Sequence, residues 1–225
     1  MAIAVFNLTN GTSGAASSYT TASITPQANC LILAAVWSTI TAGAPAAPTL
    51  SGNGLTWVQV ATVSNSAAFR LTVFRAMGSS PTTGAITISF GGVSQTNCAW
   101  SVENVQGQTT SGTNGSGAVV QSATATGSTA TAVVTLAAFA STSNRPYLAV
   151  LRESNTSVFP VSGYYTLMPS TAGAGGRVLT EWTAVNADAT PSATFGSGTW
   201  AAIALELGVA AAGASGYSRG RVVNA

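Results

Sequence analysis

The sequence predicts an all-β protein, a jelly-roll-like sandwich of antiparallel sheets. Short runs rich in Thr, Val, Ile and aromatic residues recur along the chain, separated by Gly, Pro, Asn and Ser. Several runs alternate between apolar and polar side chains, which is the period of a strand with two different faces. The pairs Asn10-Gly11, Asn53-Gly54 and Asn114-Gly115 tolerate the positive φ angles of tight hairpin turns. No segment has the periodicity of an amphipathic helix.

The first part of the chain contains seven runs with strand composition, each bounded by turn-forming residues. They are Ile3–Leu8, Ser18–Ile24, Cys30–Trp37, Leu55–Val63, Ala67–Met77, Ala85–Phe90 and Asn97–Val105. The run Cys30–Trp37 is apolar on both faces, so we expect a central strand that is covered on both sides. The Gly-, Ser- and Thr-rich stretch at 107–117 follows and is expected to be a long flexible loop or linker.

Seven further runs follow that stretch. They are Ala118–Thr126, Thr129–Leu136, Tyr147–Glu153, Val161–Leu167, Arg177–Val185, Ser192–Phe195 and Thr199–Leu207. Gly127-Ser128 separates the first two and is expected to form a tight hairpin. Alternation in Arg177–Val185 places Leu179 on the face opposite Val178, and Thr199–Leu207 alternates in the same manner.

The two parts resemble each other in the order of their blocks. The first part has CLILAAVW, GLTW, RLTVFRA, AITISFGG and CAWSVENV, and the second has PYLAVLRE, GYYTL, RVLTEWTA, PSATFGSG and AIALELGV. We expect one β-sandwich domain over residues 1–208, with half-repeats at about 24–107 and 133–208 that share one core, followed by a C-terminal arm over 209–225. The alternative is convergence of two low-complexity β sequences.

Charge is scarce: seven Arg and five acidic residues make up 5% of the chain, and Lys and His are absent. Globular domains usually carry about 25% charged residues. Without dense Lys/Arg, nucleic-acid binding is not expected. A neutral polar surface suits packing against neighbours, because no ions need to be desolvated. The alternative is a domain that is polar and neutral without any role in assembly.

The same composition excludes most catalytic schemes. Ser-His-Asp, Cys-His and Ser-Lys nucleophile systems need His or Lys, and a P-loop needs its Lys. Zinc and calcium sites lack their usual ligand patterns. We therefore expect no enzyme activity, no cofactor and no metal. Cys30 and Cys98 lie in expected strands as buried free thiols, with a bridge between them as the alternative.

Three glutamates lie in expected strands: Glu103, Glu181 and Glu206. Arg70, Arg75 and Arg177 are the natural cross-strand partners, so we expect structural ion pairs. A remote alternative is a β-jelly-roll glycosidase, which would need two of the glutamates about 5–9 Å apart in an open cleft. The five Trp residues are expected in the core. A carbohydrate platform would instead need two or three of them exposed and coplanar.

The ends of the chain contain few signals. The first eight residues lack the basic start and long apolar run of a signal peptide. The longest apolar run has eight residues, too short for a membrane span, so we expect no membrane association. The tail ends in residues suited to docking on a neighbouring subunit: Tyr217, Arg219, Arg221, Val222 and Val223. A disordered end is the alternative.

The chain resembles virion proteins of bacteriophages in three segments: the GLTWVQV strand from Gly54, Arg70–Ala76, and GTWAAIALEL from Gly198. The resemblance extends over residues ~24–208 as a similarity of composition and pattern without a diagnostic motif. It implies no catalytic residues. It implies a virion protein assembled in the host cytoplasm, most consistent with decoration or cementing of a capsid shell. Its expected partners are copies of itself, with a trimer favoured, and a major capsid or other virion protein. A glycan-binding module of a tail fibre or secreted protein is the alternative.

Overall fold

The computed structural model describes residues 2–153, 157–173 and 176–211, with the backbone alone described at 169–173. The expected all-β antiparallel sandwich is confirmed. Within these ranges the chain forms sixteen strands and one short 3₁₀ segment, Thr113–Ala118. None of the described helical structure is long and apolar enough to cross a membrane. The arm residues Tyr217, Arg219, Arg221, Val222 and Val223 lie outside the described ranges.

The first half of the chain forms two sheets from eight strands. The strands are β1 Ala4–Ser13, β2 Ser18–Thr20, β3 Leu31–Thr39, β4 Thr49–Ser51, β5 Val58–Val63, β6 Phe69–Ala76, β7 Thr87–Ser89 and β8 Asn97–Gln106. Five of them form an antiparallel sheet in the order β1-β8-β3-β6-β5. The other three form a smaller sheet in the order β2-β7-β4.

The second half forms two further sheets, one large and one small, from its own eight strands. Its strands are β9 Val119–Gly127, β10 Thr131–Val133, β11 Arg145–Arg152, β12 Phe159–Pro160, β13 Tyr165–Gly173, β14 Gly176–Trp182, β15 Ser192–Thr194 and β16 Trp200–Leu207. The large sheet has the order β9-β16-β11-β14-β13 and the small sheet β10-β15-β12. Counting each half from its own first strand, both halves therefore follow the orders 1-8-3-6-5 and 2-7-4.

Four sheets stack in layers, with a hydrophobic cluster between each adjacent pair. The central cluster combines residues of both halves, including Trp37, Leu71, Leu151 and Leu205, and lies between the two large sheets. The outer face of each large sheet packs against the small sheet of its own half, in two separate clusters. The central strands of each large sheet are thus buried on both of their faces.

This layering explains why the central strands are apolar throughout. All nine residues of β3 are buried, and Leu33 faces the central cluster while Ile32 faces the small sheet. The strand β16 divides in the same way, with Ile203 on the central face and Ala202 on the outer face. The expectation that alternation marks a wetter second face is wrong for β16, since the small sheet covers that face.

Some local predictions were wrong for identifiable reasons. Asn10-Gly11 lies within β1 and does not form a hairpin. Gly127-Ser128 does not join a hairpin either, because β9 pairs with β16 and β10 pairs with β15. The strands β4 and β12 were missed because they are short: β4 has three residues and follows Pro48, and β12 has two residues, of which Pro160 is one.

The stretch at 107–117 packs against the fold. Gln108 forms an isolated bridge with Val209, and Gly115 is buried. A methyl group on Gly115 would lie 2.7 Å from Cδ1 of Leu31. The positive φ angles of Asn114 and Gly115 are 51° and 77°, as expected for this pair, and they place a turn against the first half. The stretch therefore contacts residues of both halves, and its flexibility stays a prediction.

Candidate functional site

The surface of the described residues contains few charged groups. Ten of the twelve charged residues lie within residues 2–153, 157–173 and 176–211, and each of the ten is buried or half-buried. Arg219 and Arg221 are the other two and lie outside those ranges. Solvent therefore meets mainly Thr, Ser, Asn, Gln, Gly and small apolar side chains over the described surface.

Glu103 lies at the centre of the protein, between the two large sheets. Its carboxylate accepts hydrogen bonds from three hydroxyl groups: Ser101 Oγ, Thr180 Oγ1 at 3.0 Å and Tyr147 Oη at 3.1 Å. Ser101 lies on the same strand, whereas Thr180 and Tyr147 come from β14 and β11 of the other half. The described donors are hydroxyls and not the guanidinium groups expected from the sequence.

Burial dominates the electrostatics of this cluster. Desolvation raises the pKa of Glu103 from 4.5 to about 7, and the three hydroxyl donors lower it by a smaller amount. The same desolvation raises the pKa of Tyr147 well above its usual value. A chain of hydrogen bonds leads outward from the cluster: Asn7 Nδ2 donates to Ser101 Oγ at 3.0 Å, and Asn10 Nδ2 donates to Asn7 Oδ1 at 3.1 Å.

Glu206 lies on the outer face of β16 and has amide donors. Asn144 Nδ2 and the backbone N–H of Ala140 donate to Oε1, and Gln121 Nε2 donates to Oε2 at 2.6 Å. Asn144 Oδ1 in turn accepts from the backbone N–H of Val209 at 3.0 Å. Glu206 therefore ties the segment before β11 to the end of β16. The described donors are amides and not the guanidinium groups expected from the sequence.

Glu181 lies on the outer face of β14 and is fully buried. No donor among the described residues contacts either of its carboxylate oxygens. Desolvation raises its pKa from 4.5 to about 8. All three glutamates have no exposed surface, so the open carboxylate cleft required by the glycosidase alternative is not formed by any pair of them.

The three arginines proposed as partners lie in different places. Arg70 donates from Nε to the Pro45 carbonyl at 3.0 Å and from Nη1 to Thr62 Oγ1 at 3.2 Å. Arg75 is half-buried in β6, opposite Leu33, and Arg177 is paired in register with Arg152 of β11. Ion pairing of Arg75 and Arg177 with the glutamates stays a prediction.

A shallow cleft of about 520 Å³ opens where the two halves meet. It lies between the edge strands of the two large sheets, with Phe6 and Asn7 from β1 on one side and Tyr165 and Thr166 from β13 on the other. Trp182 of β14 contributes to its lining and packs against Tyr165, with ring centroids 5.8 Å apart. Phe6 is 51% exposed and Tyr165 55% exposed.

A second cleft of about 300 Å³ lies on the other side of Phe6. Its lining consists of two apolar side chains, Phe6 and Leu8, and of four neutral polar side chains: Thr25, Gln27, Asn104 and Gln106. Gln27 Oε1 accepts hydrogen bonds from the side-chain amides of Asn104 and Gln106. Neither cleft contains an Arg, Asp or Glu in its lining.

Sequence reasoning assigned Phe6 and Tyr165 to strands and gave them no role. Strand alternation could have indicated the exposure of Phe6. Val5 is buried, so the next residue in this edge strand, Phe6, points to the other face. The five Trp residues were expected in the core: Trp37, Trp100, Trp182 and Trp200 are buried and Trp57 is half-buried, so they do not form the exposed platform of the alternative.

Cys30 and Cys98 are free thiols, half-buried and buried respectively.

Comparisons with protein-family models, with curated protein sequences and with solved structures found no match to this chain. The described residues contain no group of three or more His, Cys, Asp or Glu that could hold a metal ion. The candidate site therefore consists of the two clefts that share Phe6, above the buried Glu103 cluster.

Proposed function

We propose that the protein is a non-enzymatic structural component of a bacteriophage virion that decorates the capsid shell as an oligomer. The observation that carries the proposal is the scarcity of charge at the surface: each of the ten charged residues in the described ranges is buried or half-buried. Burying neutral polar groups against a neighbour avoids the desolvation cost of ions. A surface with few charges also lacks the usual electrostatic protection against association.

Strand order adds support at the level of fold. In each half, strand 1 pairs with 8, strand 2 with 7 and strand 3 with 6, as in a chain rolled up from its two ends. We propose that each half is a jelly-roll unit whose fifth strand pairs with the sixth. Jelly rolls are frequent in viral capsid proteins and also in lectins. This support is an analogy, because one fold hosts many functions.

The test is co-sedimentation of the purified protein with shells of the phage that encodes it, prepared without this protein. Because charge is scarce at the surface, we expect attachment to survive a rise to about 1 M salt, where the screening length is only ~3 Å. Light scattering of the free protein should show an oligomer, with a trimer expected. A monomer that does not sediment with shells would contradict the proposal.

A panel of single Asp substitutions locates the contact surface. Suitable positions are exposed apolar residues on different faces: Val93, Val120, Val133, Phe159 and Val185. A new carboxylate at the interface would have to be desolvated on attachment, so one or two of the variants should lose attachment while the others retain it. Retained attachment in every variant would argue against a neutral contact surface at these positions.

A further inference from the structure

We propose that the two clefts on either side of Phe6 bind a neutral oligosaccharide, with one sugar stacked in each. The proposal is independent of shell decoration, since a decorating protein and a free lectin could both carry such a site. It rests on three properties of the clefts: exposed aromatic rings, neutral hydrogen-bonding groups, and their arrangement around a shared wall.

Two exposed aromatic rings provide the apolar part of the site. Phe6 and Tyr165 expose more than half of their surface in a protein that buries most of its large aromatic side chains. Tyr165 packs against Trp182, its neighbour in register on β14, with an interplanar angle of 35°, and this contact orients its ring before a ligand arrives. A sugar ring has an apolar C–H face, and such a face packs well on an aromatic ring. Preorganised rings reduce the entropy cost of binding.

Neutral amides provide the polar complement. Gln27 Oε1 is occupied by the amides of Asn104 and Gln106, which fixes these side chains in the second cleft. Within the described contacts, the Gln27 amide nitrogen and the Gln106 carbonyl oxygen remain for a ligand. Together they offer one donor and one acceptor, the pairing that a sugar hydroxyl requires. Small-molecule sites typically combine an apolar lining with a few placed polar groups of this kind.

The charge of the linings selects the class of sugar. A sialic or uronic acid would bring a carboxylate, which needs a cation or several N–H donors when it is bound. No Arg lines either cleft. The site therefore suits neutral hexoses or N-acetylhexosamines. The cleft of about 520 Å³ lies within the size range of small-ligand sites, and the second cleft of about 300 Å³ adds room for a further residue.

The experiment is calorimetric titration of the full chain with cellohexaose, maltohexaose and chitohexaose, with 3′-sialyllactose as the charged comparison. At least one neutral oligosaccharide should bind, and 3′-sialyllactose should not. Tyr165→Ala and Phe6→Ala should each weaken binding by about tenfold or more, through loss of a stacking surface.

Phe159→Ala is the matched control, because Phe159 is 58% exposed but lies on the small sheet of the second half. It should bind like the wild type, and circular dichroism should show that all variants are folded. The proposal is overturned if no neutral oligosaccharide binds at about 1 mM. It is also overturned if binding is unchanged in both Tyr165→Ala and Phe6→Ala. Shell attachment is measured separately, so the failure of one proposal leaves the other standing.

Discussion

Tyr147 Oη donates a 3.1 Å hydrogen bond to Oε2 of Glu103, and this bond joins the two halves of the chain at the centre of their shared core. Thr180 adds a second bond across the same interface. Polar groups buried in this way are costly when left unpaired. The cluster therefore favours one relative placement of the two large sheets over others that would bury Glu103 without donors.

Replacing Tyr147 with Phe removes one donor from Glu103 and changes little else in shape. We expect the free energy of unfolding to fall by ~1–3 kcal/mol at pH 8, where the buried carboxylate is ionised and loses a charge-assisted hydrogen bond. The loss should be smaller near pH 5, where the carboxyl is protonated. Urea unfolding at both pH values measures this difference. Tyr165→Phe, which removes an exposed hydroxyl, is the control and should leave stability unchanged.

Stability should decline as pH rises from about 4.5 to about 8. The folded-state pKa values of Glu103 and Glu181 are raised to about 7 and about 8, so the folded protein retains protons that the unfolded chain releases above 4.5. Their stabilising contribution is complete below pH 4.5 and is lost as pH rises through the folded pKa values.

Glu181→Gln isolates the larger of these two effects. Because Glu181 has no donor among the described residues, a neutral amide of the same shape avoids the cost of a buried charge. We expect the variant to be more stable than wild type at pH 9, by an amount on the order of a few kcal/mol, and nearly equal to it at pH 4.5. Equal stability at both pH values would show that Glu181 is not buried as a charge.

Cys98 should be protected from alkylation in the folded protein, whereas Cys30 should react slowly. Burial raises the pKa of both thiols, and Cys98 is fully buried while Cys30 is half-buried. Iodoacetamide labelling followed by mass spectrometry should therefore modify Cys30 alone under native conditions and both residues in denaturant. If neither reacts in denaturant without reductant, the two cysteines form a disulfide.

Deletion of residues 213–225 tests the expected role of the C-terminal arm. Arg219 and Arg221 are the two charged residues outside the described part, so the arm holds two of the twelve charged residues of the chain. We expect the truncated protein to keep its far-UV spectrum and melting temperature but to lose self-association or shell attachment. Unchanged association would show that the arm takes no part in assembly.

Sequence alone predicted the fold class and one of the doubly covered strands. The run that became β3 is apolar on both faces, and local composition is enough to show that. The partners of Glu103 were not predictable in this way. They lie 44 and 77 residues away, and their proximity depends on how the two large sheets face each other. The cleft between β1 and β13 escaped prediction for the same reason.

The pairing of two glycines with two tryptophans was also not predictable from local sequence. Gly11 and Gly127 suggested hairpin turns, yet both lie in strands beside a Trp of the paired strand: Trp100 is in register with Gly11, and Trp200 with Gly127. Each pair joins the first and eighth strands of its half. The repeated pair supports the proposed duplication. Its signal in the sequence is weak, because 89 and 73 residues separate the members.

Gly11→Ala and Gly127→Ala should each destabilise the protein. A methyl group would lie 2.7 Å from Cζ2 of Trp100 in the first case and 2.6 Å from Cζ2 of Trp200 in the second. The indole rings are buried and cannot move freely, so we expect a loss of about 1–3 kcal/mol for each substitution, measured by urea unfolding. Gly14→Ala is the matched control, because a methyl group there meets nothing within 4 Å. Since alanine restricts the unfolded chain more than glycine, the control should be as stable as wild type or slightly more so. Equal effects at positions 11, 14 and 127 would show that the indole rings do not require glycine beneath them.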